Sequence, residues 1–532
     1  MRASPLRNVA LTSSLSDAPA PIGPPLRAHR RRFWVVAVAA LVAIATSVWQ
    51  LQRQRDGLSV SAARVGEIPV TVWRQAGDAP APVVVIAHGF AGSQQLMQPF
   101  AITLARNGYI AVTFDFPGHG RNPLPLTGGL ADAAAMQHDL VDTLEQVARF
   151  ARPLGDGRLA VAGHSMAADA VVRFAAATPD VQATVAVSLF LPDLAPVYAN
   201  NLLIVDGALE ASMLRQQAFA IAAQTVAGAL HADVTYGKFA DGSARRVAFA
   251  PGVEHIGVLY SSAALRETVS WLDAAFDRHG DGFVAARGGW LGLLLLGCIA
   301  LAWPLATLLP RIRYATGGRR LTTARLLGAV FLPALATPLL LCRLPTDFLP
   351  MLLGGYLTLH FGVYGLLTIA SVWRVRRNAP AVQAPMDFTR VLAAAVAVIV
   401  VDLILIGLPL DSYVFSFVPG AWRYPLIAAV AVGTLPYFIA DEWLTRHGTA
   451  LPGIYPLTKL CFLLSLVVAI ALNLDQLFFL VIIVPVIILL FVVFGLFSAW
   501  IFRRTGNAFV AAASNAVLFA WFIAVTFPLV SR

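Results

Sequence analysis

Charge is what this chain has least of. Charged residues make up 13% of its 532 positions and hydrophobic ones 58%, which excludes an ordinary soluble protein and leaves room for at least two domains, one in a membrane. Lysine is nearly missing, present only at Lys238 and Lys459. The net charge of +10 therefore rests on arginine. Those arginines sit in short clusters beside long apolar runs, a distribution that orients helices in a bilayer and argues against a nucleic-acid partner. Cysteine is scarce too: Cys298, Cys342 and Cys461 all lie in or beside apolar segments, which excludes a disulfide framework and a cysteine zinc site. There is no internal repeat, no nucleotide-binding loop and no HExxH spacing. Neither a metal nor a cofactor is expected.

What is present divides the chain into four parts. Residues 1–32, rich in Pro, Ser and Ala, end in Arg30, Arg31 and Arg32 and read as a cytoplasmic basic tail. The apolar run 33–51 follows, close to the roughly 20 residues a helix needs to cross the hydrocarbon core. Its A-x-A pattern, Ala43 to Ala45, lies inside the run and is followed by Val48 and Trp49, so an uncleaved anchor is expected rather than a cleaved signal peptide. Residues 52–287 have ordinary polarity, with short β-type runs alternating with helical ones, the pattern of an α/β domain on a mostly parallel sheet. From 288 to 532 apolar runs return as an all-α membrane domain. Eight spans are expected, at about 288–309, 326–344, 348–372, 391–410, 421–440, 455–473, 477–501 and 507–530.

Arginine distribution gives the orientation. Arg311, Arg313, Arg319, Arg320 and Arg325 lie between the second and third of the nine spans, Arg374, Arg376, Arg377 and Arg390 between the fourth and fifth, and Arg503 and Arg504 before the last. Outer connections carry only scattered residues such as Arg343 and Arg423. The expectation is a multi-pass protein of the bacterial inner (cell) membrane, with the N-terminus inside and residues 52–287 and the C-terminus outside.

The soluble stretch carries the chemistry. The apolar strand Val83–Ala87 runs into His88-Gly89-Phe90-Ala91-Gly92-Ser93, and the strand Ile110–Phe114 ends at Asp115-Phe116-Pro117-Gly118-His119-Gly120. A third strand, 159–162, enters Gly163-His164-Ser165-Met166-Ala167. Small residues two positions either side of a serine suit a sharp strand-to-helix turn that holds its hydroxyl above the sheet. The Ala-rich segment Met166–Ala177 suits a helix whose N-terminus points at that serine and favours negative charge developing there.

A serine hydroxyl needs a histidine to take its proton and an acid to orient the histidine. Of seven histidines between 52 and 287, His164 is adjacent to the serine and points away from it at such a turn, His88 and His119 sit in turns that the fold itself explains, and His138, His231 and His279 lie in polar or amphipathic runs. His255 follows the last strand-like run, 246–250, in the order Ser, acid, His. The acid follows strand 202–205 as Glu210 or Asp206. Glu210 is favoured, and Asp193 is a third candidate.

Residues from about 69 to 276, two fifths of the chain, resemble α/β-hydrolases, particularly capless dienelactone-hydrolase-like and esterase-like members. His88-Gly89-Phe90, Gly118-His119-Gly120, the elbow around Ser165, Gly207-Ala208-Leu209-Glu210 and His255 carry the likeness. It implies a Ser165, Glu210, His255 triad and an oxyanion hole from the N–H groups of Phe90 and Met166. The elbow departs from the family pattern in ending with Ala167 rather than Gly, and the acid is Glu where many relatives have Asp.

The expected activity is that of a membrane-anchored serine hydrolase of esterase, lipase or thioesterase type, acting through an acyl-enzyme on a small or lipid-like ester. Too few residues separate 190 from 202 for a cap domain there, so the membrane surface or the outer loops of the spans are expected to complete the site. The rival reading is a transporter or receptor whose outer domain only binds ligand. Asp402 and His360, in the middle of apolar runs, are read first as interhelical hydrogen-bonding groups and second as part of a proton path or a second site.

Overall fold

The computed structural model describes residues 26–77, 79–129, 132–191, 198–226, 228–312, 316–317, 323–376, 382–383, 386–446 and 453–531. Asp193, Arg313, Arg319, Arg320 and Arg377 lie outside the described residues. Helix α1, Leu26–Arg53, leads into an eight-stranded sheet of order β1-β2-β4-β3-β5-β6-β7-β8. An antiparallel hairpin of β1 (Leu58–Val65) and β2 (Ile68–Gln75) forms one edge and joins β4 (Ile110–Phe114) antiparallel. From β4 onward every pairing is parallel, through β3 (Val83–Ala87), β5 (Leu159–His164), β6 (Val181–Val187), β7 (Leu202–Gly207) and β8 (Arg245–Ala250).

Strands covered on both faces must be apolar throughout, and β3, β4 and β5 are buried at every position. Alternation sorts their side chains into two cores. Val83, Val85 and Ala87 join the core under α3 (Ala133–Ala151), α4 (Met166–Ala177) and α5 (Ser212–Ala223). Val84 and Ile86 join the core under α2 (Gln98–Arg106) and α6 (Ser262–Phe276), beside Phe100, Leu104 and Leu272. Each fully buried Leu, Val or Phe contributes about 1.5–3 kcal/mol, so the strand C-termini, where the functional turns lie, stand on a rigid base.

Among the described residues, eight helices are long and apolar enough to cross a membrane. They are Arg30–Arg53 of α1, α7 (Gly288–Ala306), α9 (Gly354–Arg376), the continuous segment Phe388–Tyr413, Ala421–Arg446, α13 (Ile454–Leu472), α15 (Leu480–Thr505) and α16 (Ala508–Thr526). Within the continuous segment, α10 (Phe388–Asp402) and α11 (Leu408–Tyr413) are joined by a π-helical turn. Helix α12 is Tyr424–Arg446, and α14 is the single turn Leu474–Leu477.

Helix α8 (Thr323–Leu341), with Pro333 and Pro338 inside it, lies where the span at 326–344 is expected and carries the apolar stretch Leu326–Leu341. Two expected ends move. The span placed at 348–372 begins at Gly354, and the last helix stops at Thr526 rather than 530. In both places the backbone is in use elsewhere: Leu529 N–H donates to the Gly118 carbonyl at 2.9 Å, Leu126 N–H to Leu529 at 2.8 Å, and Leu352 N–H to Pro528 at 2.9 Å. Residues 527–531 are thus a short extended segment held between the sheet domain and the 350–352 loop. Gly118 has φ +76, and a Cβ there would strike the Leu529 carbonyl, so only glycine permits this approach.

Polar contacts, most of them buried, bolt the two regions together. The Arg423 guanidinium, 1% exposed, donates to the carbonyls of Ala524, Phe527 and Gly118. Arg287, fully buried, donates to Leu51 and to Gln98, whose amide in turn donates to the Ser412 carbonyl at 3.0 Å. Arg121 pairs with Asp411 at 2.7 Å, and Ser416 N–H donates to Ser93 Oγ at 3.0 Å. Buried donors without partners are costly, so each contact fixes how the sheet domain sits on the helices.

Candidate active site

The turn after β5 is the tightest in the domain. Ser165 has φ 55 and ψ −118, a conformation that side chains rarely adopt and that costs on the order of 1–3 kcal/mol. Its N–H donates to the Val187 carbonyl at 2.8 Å, which pins the strained residue to β6. Gly163 is needed because a Cβ there would strike the Ala167 carbonyl. Ala167 is itself fully buried, which explains why a small residue other than glycine suffices. Helix α4 starts at Met166, so its positive end faces the serine.

Three sequence-predicted residues meet at this turn. His255 Nε2 lies 2.9 Å from Ser165 Oγ, and His255 Nδ1 lies 3.0 Å from Glu210 Oε2. A carboxylate only accepts, so Nδ1 carries the proton toward Glu210 and Nε2 is left to accept from the serine hydroxyl. Glu210 Oε1 accepts from Ser188 Oγ at 2.5 Å and Gly207 N–H at 2.8 Å. Burial alone would raise the Glu210 pKa, but the donors His255, Ser188 and Gly207 outweigh it and hold the carboxyl below its ordinary range.

The rival acid is excluded by geometry and environment. Asp206 is fully buried within β7 and makes no contact with His255. Its carboxyl is pushed up to about 8, chiefly by burial and then by the neighbouring Glu210 charge, so it is largely neutral at pH 7.

The Phe90 turn lies against the elbow. A Cβ on Gly89 would come within 3.1 Å of Ser165 Cβ. The Phe90 N–H in this turn and the Met166 N–H at the first residue of α4 are the donors such an arrangement can offer to an oxyanion. Ala91 and Ser188, like Ser165, have positive φ, 55 and 54, a backbone conformation that costs energy in non-glycine residues.

Several residues matter here that sequence reasoning set aside. His164, taken as pointing away, donates from Nε2 to the His255 carbonyl at 2.8 Å, its ring 5.0 Å from that of His255. Burial first, and His255 second, push it down to about 3, so it is a neutral positioning group. His88 bridges two turns, Nδ1 donating to Gly89 at 2.8 Å and Nε2 accepting from Phe116 N–H at 3.2 Å. Ser188, holding Glu210, follows a strand with no motif around it, and only the fold brings it in.

The site is not bare. Phe90 packs on Phe479, at the start of α15, with ring centroids 4.3 Å apart, so the helical region reaches the Phe90 turn. Leu209, Met213 and Ile256, flanking Glu210 and His255 in sequence, are exposed apolar side chains at 66%, 55% and 39%.

Residues 78–213 match the sequence model of the serine aminopeptidase S33 family, and no curated protein matches the chain. Among solved structures, a dienelactone hydrolase from Anabaena variabilis is 20% identical, with 40% of this chain and 96% of that one covered at a TM-score of 0.30. A CIB-like hydrolase from Thermoplasma acidophilum is 16% identical, with 40% and 97% covered at a TM-score of 0.32. By its strand order and its strained serine turn, the domain carried between α1 and α7 has the α/β-hydrolase fold.

Proposed function

We propose that the chain is a membrane-anchored serine hydrolase that cleaves ester bonds of lipid-like or acylated substrates on the outer face of a bacterial inner membrane. The observation that carries this reading is the unbroken chain Ser165–His255–Glu210, with links of 2.9 and 3.0 Å at a strained turn. His255 takes the Ser165 proton as the oxygen attacks the acyl carbonyl, and Glu210 stabilises the imidazolium that forms. The Phe90 and Met166 N–H groups receive the oxyanion, each such donor being worth about 2.7–4 kcal/mol in the transition state. His255 then protonates the leaving group, and water releases the acyl-enzyme by the same steps in reverse order.

The preference for an amphiphile rests on the exposed apolar side chains Leu209, Met213 and Ile256, which flank Glu210 and His255 in sequence, and on Phe479 against Phe90. A wall supplied by the membrane region suits a substrate that arrives from the bilayer. The family match favours a second reading, hydrolysis of amide bonds at a peptide N-terminus. Purified full-length protein in detergent, given nitrophenyl esters of increasing acyl length and aminoacyl nitroanilides, separates the two. Ester turnover that rises with acyl length and vanishes in Ser165→Ala is expected. Turnover of anilides alone would replace the esterase reading with the peptidase one, and turnover of neither would favour a domain that only binds ligand.

A further inference from the structure

The helical region holds a buried acid that the reaction above does not use. Asp402 closes α10 at 4% exposure, and its Oδ2 has no hydrogen-bond partner among the described residues. The interhelical hydrogen bond that would be its simplest explanation is therefore not made by this oxygen. The helix changes to π pitch over Leu403–Gly407 directly after it, a local widening frequent at functional sites.

Asp402 lines a groove of about 390 Å³ that runs along α10 and is walled by the C-terminal end of α7 with the residues after it and by the C-terminal part of α15, through Leu305, Leu308, Val398, Val401, Phe497 and Trp500. Arg390 lines the same groove, about 18 Å along the helix from Asp402 at ~1.5 Å per residue. It is already paired with Asp387 at 3.1 Å and is exposed. The groove is thus an apolar trough with one unpaired carboxyl at depth and a compensated arginine at its end.

We propose that this groove binds a lipophilic amine, a single apolar chain lying along α7, α10 and α15 with its ammonium group on Asp402. The chemistry selects the class. A plain acyl chain leaves the carboxyl without a partner, and a carboxylate or phosphate amphiphile sets a like charge beside it. An ammonium group supplies both the opposite charge and the missing donors, in surroundings where charge pairing is strong. The Phe497 and Trp500 rings in the same wall suit either the chain or the cation. The site is independent of the Ser165 reaction.

The test uses the full-length chain in phosphatidylcholine nanodiscs and a hexadecylamine carrying a photoactivatable diazirine on its chain, with hexadecylamine, hexadecanol and palmitate as competitors. Crosslinks should map to α7, α10 and α15. Hexadecylamine should compete at least tenfold better than hexadecanol, and palmitate should not compete. Asp402→Asn should abolish the tenfold preference, and Val398→Trp, which fills the groove and keeps the carboxyl, should abolish crosslinking. Equal competition by all three amphiphiles in the wild type, or an intact amine preference in Asp402→Asn, would overturn the proposal. If Asp402→Asn does not fold, the wild-type competition order and Val398→Trp decide alone.

Discussion

Two acids removed from water behave oppositely in the two regions of this molecule. In the sheet domain Glu210 receives three donors, from His255, Ser188 and Gly207, and is fixed as a charged orienting group. In the helical region Asp402 Oδ2 receives none from the described residues. Burial alone therefore tells little about a carboxyl; the donors around it decide whether it is finished machinery or a vacant half of an interaction. Asp206, equally buried and next to Glu210, makes the same point within one domain, because without the histidine it stays largely protonated.

The comparison can be broken most forcefully at Glu210. Glu210→Gln keeps the shape but loses the charge and the tautomer control, so ester turnover should fall by about 10³- to 10⁴-fold. Asp206→Asn should stay within a few-fold of wild type in the same assay. Equal losses in both variants would mean that the acid has been misassigned.

The joint between the regions comes next. Arg423→Ala leaves the carbonyls of Ala524, Phe527 and Gly118 without their donor, at about 1–3 kcal/mol for each that stays unsatisfied. A lower thermal midpoint and faster proteolysis at residues 527–531 are expected. An unchanged midpoint would show that the joint adds nothing to stability.

Phe479→Ala removes the helical region's contact with the oxyanion turn. KM for long-chain esters should rise about three- to tenfold, with kcat for an acetyl ester little changed. A loss confined to kcat would instead make Phe479 a support of the oxyanion turn.

The smallest effect is on pH dependence. Because the folded pKa of Asp206 lies above its unfolded value, the fold binds its proton more tightly than the unfolded chain does. Its contribution to stability is fully present below about pH 4 and is lost as pH rises to about 8. His164, pushed down to about 3, acts in the opposite sense, with stability lost as pH falls below its ordinary value near 6.5. Between pH 6.5 and 8 the Asp206 effect stands alone. Thermal midpoints of Asp206→Asn relative to wild type should therefore climb over that window, and a flat difference would place the carboxyl in a less buried setting.

How much of this was legible in the sequence follows from how local each signal is. The elbow at Ser165 could be read because the turn needs small residues within two positions of the serine. The apolar strands β3 to β5 could be read because burial on both faces leaves no polar alternation. The edge hairpin could not, since β1 is mostly exposed and its Leu58–Val65 run lacks a strong period. His164, Ser188 and the 527–531 segment were missed because their partners lie 22 to more than 400 positions away in the chain. The end of the last span was overestimated because Phe527, Leu529 and Val530 are as apolar as the helix before them, and only the hydrogen bonds to Gly118 and Leu126 reveal that they leave it. Asp402 was visible as a charge in an apolar run, yet its missing partner is a property of the packed helices.

The most direct test of the central claim is labelling of isolated membranes with a fluorophosphonate probe, comparing wild type with Ser165→Ala and His255→Ala at matched expression. An activated serine predicts strong labelling of the wild type and none in either variant. Labelling that persists in Ser165→Ala, or its absence from folded wild-type protein, would contradict the account.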